Sequence, residues 1–299
     1  MDKQKQKEFV KRIFGEVSAT MTMGLAYLGV KTGLFAAMHE QGPMTQAQVV
    51  AASGLQERYV QEWLGGMTAA GFLEYDPAAR TYELPPEYGT YLIPDRPTFL
   101  GGLFQMIPGA LSVAPRVAEC FRTGGGVHFD EYGEEVWEAI ELQTAGLYES
   151  MLVPQWLTQV PAIDQALTRG GTALDVGCGA GRALTAMAKG YPQAQFKGLD
   201  VHAASVAKAQ TRAQAEGVAE RTSFFTGPLA ELPKDERFDG VTAFDVIHDL
   251  TEPQETLALM REHLADNGTV LLMEPRVADR LEDNRNPLAV MYYGFSTFH

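Results

Sequence analysis

The spacing of apolar residues moves from helical to alternating and back along the chain. Phe9, Ile13 and Val17, then Met21, Leu25 and Leu28, recur at helical intervals. A second helix is predicted from about Val30 to His39, carrying Leu34, Phe35 and Met38. GPMTQAQVVAASGL reads as a turn and a short helix, with Thr45 as N-cap and Gly54 as stop. A third helix from about Gln56 puts Val60, Trp63, Leu64 and Met67 on one face and ends near Gly71. FLEYD and TYELP, alternating on either side of DPAAR, predict a hairpin. Helices followed by a hairpin make residues 1–95 an α-rich, winged-helix-like domain.

Residues 96–165 read as a helical linker or lid region. FLGGLFQMIPGAL is apolar but irregular, Gly124, Gly125 and Gly126 form a glycine run, and a long helical pattern follows through Trp137, Ile140, Leu147 and Leu152. GGGVHFDEYG, with His128 and Tyr132, is a candidate lid. From 166 to 299 the pattern changes again. TALDV, QFKGLD, TSFFTG and FDGVTAFDV are strand-like, and a turn at Asn267-Gly268 leads into TVLLMEP. Helical stretches separate them, which implies βαβ units. The expected fold is α/β: a Rossmann-like, mostly parallel sheet of five strands behind the winged-helix-like domain and a helical insert.

Chemistry concentrates in LDVGCGAGR, residues 174–182. A strand runs into glycines that permit a tight turn, and the helix that follows offers unpaired N–H groups to a ligand. A dinucleotide fingerprint would place its third glycine where Arg182 stands, so the pattern is D-x-G-x-G-x-G instead.

That stretch resembles motif I of the class I S-adenosylmethionine-dependent methyltransferases, and the whole chain resembles the bacterial small-molecule group with an N-terminal winged-helix-like domain. The resemblance implies S-adenosyl-L-methionine as cofactor, held by Asp175, Gly177, Gly179 and Gly181. It implies that Asp200, closing FKGLD with Val201 beside it, accepts the ribose hydroxyls. Gly227 and Leu229 fall where the family contacts adenine, but Pro228 stands in place of the family's usual carboxylate. FDVIHDL resembles the His-Asp-Trp stretch of small-molecule O-methyltransferases, with Leu250 in place of Trp. His248 is then the general base and Glu274, in LLMEP, the carboxylate that orients it, while Asp245 and Asp249 are cofactor-side or structural groups. The group carries two further strands beyond the point reached at His299. The resemblance therefore implies a C-terminally incomplete sheet with an apolar edge open to association, and it leaves a cofactor-binding regulator, an inactive partner subunit or a non-methylating enzyme of the same fold as alternatives.

Charge narrows the partners. The 24 Lys and Arg against 38 Asp and Glu give a net charge of −14, which disfavours phosphate-rich partners. Between Glu40 and Glu87 only Arg58 and Arg80 are basic, against Glu40, Glu57, Glu62, Glu74, Asp76, Glu83 and Glu87. The N-terminal domain is therefore expected to serve homodimerisation and not nucleic-acid binding. Cys120 and Cys178 have no metal-ligand or disulfide-framework spacing, so no metal is expected. With no signal peptide or uninterrupted apolar span evident, a reduced, cytoplasmic protein acting on a small molecule is expected, away from membranes.

Overall fold

The computed structural model describes residues 1–94 and 96–298. They form two compact units, residues 1–143 with Phe298, and residues 144–297.

In the first unit, Asp2 caps helix α1 (Lys3–Lys31) by accepting from the Gln4 and Lys5 N–H groups. Helix α2 (Leu34–Met38) is shorter than the sequence suggests, because Val30 and Lys31 still belong to α1. Gly33, at φ 75°, separates the two in a left-handed conformation that costs a side-chain-bearing residue far more. Strand β1 (Met44–Thr45) precedes α3 (Gln46–Ser53), which is capped reciprocally by Thr45 and Gln48. Then come α4 (Glu57–Ala69) and the hairpin β2 (Glu74–Asp76) and β3 (Thr81–Glu83). β1 is an addition to the predicted hairpin: it pairs with β3, giving the order β1-β3-β2. Two residues are too few to show alternation.

Helices α5 (Pro86–Leu92), α6 (Gly101–Ser112), α7 (Ala114–Thr123) and α8 (Glu134–Leu147) follow. The stretch read as irregular is α6, a helix in spite of Pro108. Its glycines have a packing cause: a Cβ on Gly102 would lie 2.8 Å from the Ala139 carbonyl, and one on Gly109 would strike Val136. The candidate lid is mostly exposed, with one buried anchor. His128 caps a short turn, and Tyr132 is buried with Val113, Val117 and Val136.

The second unit opens with a π-helical segment, Tyr148–Trp156, a wide turn that contains Pro154. Helix α9 (Pro161–Thr168) leads into β4 (Thr172–Val176), α10 (Arg182–Gly190), β5 (Gln195–Asp200), α11 (Ala203–Ala215) and β6 (Thr222–Thr226). The remaining elements are β7 (Phe238–Phe244), α12 (Pro253–Glu262), β8 (Leu264–Met273) and α13 (Pro287–Phe298). The five strands pair in parallel in the order β6-β5-β4-β7-β8. Leu174, Val241 and Ala243 are buried, as strands covered on both faces require. Asn267-Gly268 does not end a turn before the last strand: β8 already begins at Leu264, and a register shift opposite Phe238–Gly240 absorbs the pair. Because the strand order reverses at β4, a crevice opens at the carboxyl ends of β4, β5 and β7.

Candidate functional site

The glycine turn joins β4 to α10 at one wall of that crevice. Gly177, Gly179 and Gly181 all have positive φ (70°, 51° and 75°), so the sequence needs glycine here for backbone reasons alone. Their surroundings differ. A Cβ on Gly177 would meet Val246 at 2.5 Å and one on Gly181 would meet Ala209 at 2.8 Å, whereas Gly179 faces open space. Gly179 is thus the place where a ligand can touch the main chain.

Asp200 ties the turn to the next strand. Its Oδ2 accepts from the Gly179 N–H at 2.8 Å and its Oδ1 from the His202 N–H at 2.8 Å. Each oxygen keeps a lone pair for a further donor. The Gly227 N–H donates to the Asp200 carbonyl, which brings the predicted adenine-side turn against the same strand end. Val201 is 72% exposed beside it, while Leu229 is buried.

Asp175 lies deeper than the crevice. It is 2% exposed and accepts from the Thr242 hydroxyl at 2.7 Å. Burial pushes its carboxyl up to about 7, with the Thr242 hydrogen bond opposing and the Asp200 charge adding to the rise. Thr242 has no signature in the sequence, since a threonine inside a strand is ordinary. Tyr148, one of the aromatic residues in which the helical region is rich, is buried and packs against Phe244 and Trp156 at ring-centroid distances of 5.7 and 6.3 Å. Burial, then the charges of Asp175 and Asp245, keep its phenol protonated.

Across the crevice, β7 is followed by Asp245, whose φ of 61° turns the chain and whose N–H donates to the Met273 carbonyl at 2.7 Å. A short turn, Ile247–Asp249, then delivers His248. Its Nδ1 lies 2.5 Å from Glu274 Oε2, its Nε2 lies 3.3 Å from Asp249, and Asp245 is 3.9 Å from Nδ1. Burial lowers the imidazole pKa, but the Glu274 hydrogen bond and the Asp249 and Asp245 charges outweigh it and hold it above its ordinary value. Asp245, His248 and Glu274 bring their ligand atoms within 4.8 Å of one another, a spacing a metal ion could bridge. The short Nδ1–Oε2 hydrogen bond already accounts for that closeness.

Two domains can now be assigned. Residues 19–93 match the Rv2258c-like winged HTH domain and residues 167–292 match a methyltransferase domain. The chain therefore joins a winged helix-turn-helix domain to a methyltransferase domain, on the class I methyltransferase fold.

Similar curated proteins include release factor glutamine methyltransferase of Geobacter sulfurreducens, 38% identical over 30% of this chain and 32% of that protein. Ajmaline N-methyltransferase of Rauvolfia serpentina is 32% identical over 33% and 34%. The chain spans about a third of the length of these relatives. Among solved structures, an O-methyltransferase family protein from Burkholderia thailandensis superposes with a TM-score of 0.71 at 19% identity, covering 97% of this chain and 86% of that one. Mitomycin 7-O-methyltransferase gives 0.73 at 15% identity, covering 99% and 87%. Human N-acetylserotonin methyltransferase, in complex with SAM, gives 0.65 at 19%, covering 100% and 86%. At these identities the likeness is one of fold.

Proposed function

We propose that this chain is an S-adenosyl-L-methionine-dependent methyltransferase acting on oxygen or nitrogen of a small molecule. The observation that carries the reading is the hydrogen bond from the Gly179 N–H to Asp200, which sets a carboxylate and an open glycine turn side by side at adjacent strand ends. Gly177, Gly179, Gly181 and Asp200 hold the cofactor, with Val201, Gly227, the Leu229 backbone and Asp245 around it and Asp175 supporting the turn from below. The cofactor supplies a methyl group on a sulfonium, an electrophile with a good leaving group.

His248 takes the proton of the acceptor at Nε2. Glu274, bound to Nδ1, fixes the tautomer in which Nε2, 3.3 Å from Asp249, is the unprotonated nitrogen that receives it. The imidazolium so formed lies between Glu274 and Asp249, which stabilise its charge. The net charge of −14 favours a neutral or cationic small acceptor over a polyanion. Unpaired Cys120 and Cys178 fit a reducing, cytoplasmic setting. The acidic N-terminal domain serves homodimerisation.

Calorimetric titration with S-adenosylmethionine and its demethylated product, followed by labelled-methyl transfer to a panel of phenols and amines, tests the reading. Micromolar binding with transfer supports it. A folded chain that binds neither ligand overturns it, and binding without any transfer favours the regulator or inactive-subunit alternative.

A further inference from the structure

A cavity lies at the opposite end of the parallel sheet from the glycine turn. The Phe238 N–H donates to the His263 carbonyl at 2.8 Å and Phe238 pairs with Leu264, so His263 stands where β7 and β8 begin. Asp245 and Glu274 stand just past the carboxyl ends of the same two strands. Seven residues of β7 separate the two places by about 20 Å. The cavity, of about 280 Å³, opens between the 229–237 connection and the last turn of α12.

Its lining is graded with depth. Lys234, Arg237 and Glu262 are exposed and form the rim, whereas Leu229, Leu232 and His263 are buried and Leu259 is half-buried. The rim is fixed by its own hydrogen bonds. Arg237 Nη1 donates to the Lys234 and Glu236 carbonyls at 2.6 and 2.9 Å, and Lys197 pairs with the Glu236 carboxylate. Two cations against one carboxylate favour an anionic group at the mouth. The three leucines call for an apolar body behind it.

His263 adds a requirement at the inner end, where it is only 4% exposed. Its Nδ1 lies 3.1 Å from the Glu236 carbonyl, which can only accept, so the neutral imidazole carries its proton on Nδ1. Nε2 then holds a lone pair and has no protein partner among the described residues. A buried acceptor without a donor is a cost that a ligand can remove. An ammonium would lose its hydration there, so a neutral hydroxyl suits the place better. A phenol supplies that donor and the apolar body together, with few rotors to freeze.

We propose that this cavity is a second small-molecule site, for a phenol-tipped carboxylate. The carboxylate meets Lys234 and Arg237, the ring packs against Leu229, Leu232 and Leu259, and the hydroxyl donates to His263 Nε2. An occupant here is too far from the crevice to receive a methyl group, so it is a ligand and not the acceptor. Saturation-transfer NMR titration of the full chain with 3-(4-hydroxyphenyl)propionate, in the presence of saturating S-adenosylhomocysteine, tests this. Binding should be saturable at roughly millimolar concentration or tighter. 3-Phenylpropionate, which lacks the hydroxyl, and tyramine, which lacks the carboxylate, should each bind roughly threefold more weakly or worse. Lys234→Met, a change at an exposed residue, should weaken the probe by roughly threefold or more. His263→Asn keeps a donor for the Glu236 carbonyl and should erase the preference over 3-phenylpropionate. A phenol also suits the acceptor crevice, so binding that Lys234→Met leaves unchanged overturns the proposal. Absence of saturable binding, or equal affinity for all three compounds, overturns it as well.

Discussion

Glu274 reaches back from the end of β8 to His248 with its two oxygens committed to different tasks. Oε1 accepts from the Ile247 N–H at 2.8 Å and the Val246 N–H at 3.3 Å, and Oε2 holds His248 Nδ1 at 2.5 Å. The carboxylate therefore fixes both the turn that carries the imidazole and the imidazole itself. Truncating the base and truncating its holder should have different consequences.

His248→Ala should lower turnover at least tenfold, in keeping with the usual contribution of a positioned general base, and leave cofactor affinity nearly unchanged. Glu274→Ala should also loosen the Val246–Asp249 turn. It is expected to show a turnover loss together with a lower melting temperature. Steady-state kinetics and thermal denaturation of the two variants separate these effects; a His248→Ala enzyme of full activity would reject the base assignment.

The pH profile carries a sign. A base must be neutral to accept a proton, and His248 titrates above its ordinary value because Glu274, Asp249 and Asp245 together outweigh the lowering by burial. Activity should rise with pH through that raised pKa. Glu274→Gln removes one negative charge and the charged hydrogen bond, so the acidic limb of kcat/KM should move to lower pH. A limb that stays in place would mean another group controls it.

Gly177 and Gly179 should respond differently to alanine. Both have positive φ, but a Cβ at 177 meets Val246 at 2.5 Å and one at 179 meets nothing within 4 Å. Gly177→Ala should destabilise the fold by about 2 kcal/mol or more, combining backbone strain with overpacking. Gly179→Ala should cost about 1 kcal/mol in stability yet weaken cofactor binding at least tenfold, by filling the space above the turn. Urea titrations and calorimetry on the two variants check the contrast.

Asp175 gives a second pH effect of opposite kind. Its carboxyl is raised to about 7 in the fold, so the folded chain holds this proton where the unfolded chain releases it. Its contribution to stability is present below the unfolded value near 4 and is lost as pH rises toward 7. Asp175→Asn should therefore gain stability relative to wild type between pH 5 and pH 7.5, measured as the shift in urea midpoint. An unchanged difference across that range would place the proton elsewhere.

The strand–glycine–helix signal at 174–182 and the alternation of strands with helices were readable because both are periodic and local; four strands of the parallel sheet lie where that pattern put them, and the fifth starts earlier, at Leu264, ahead of the turn expected at Asn267-Gly268. β1 was not readable, since two residues carry no period. α6 reads as irregular because Gly101, Gly102, Pro108 and Gly109 are helix-breaking by propensity, and the close approach of Ala139 to Gly102 and of Val136 to Gly109 is visible only in the fold. In the site, His248 and Glu274 were named from the resemblance of FDVIHDL and LLMEP to the small-molecule O-methyltransferases, and the structure brings the two side chains into hydrogen-bond contact. Thr242 was invisible because its role comes from Asp175, which it faces on the neighbouring strand.

The corner at Asp245 has a consequence for how such a site can change. With φ at 61°, strand β7 stops there instead of running on, and the next three residues wind tightly enough to present His248. Main chain and one carboxylate thus locate the base, with no help from the walls that would receive a substrate. Those walls can be remodelled by substitution while the base keeps its address, which makes this scaffold a tolerant starting point for altering acceptor preference in the laboratory.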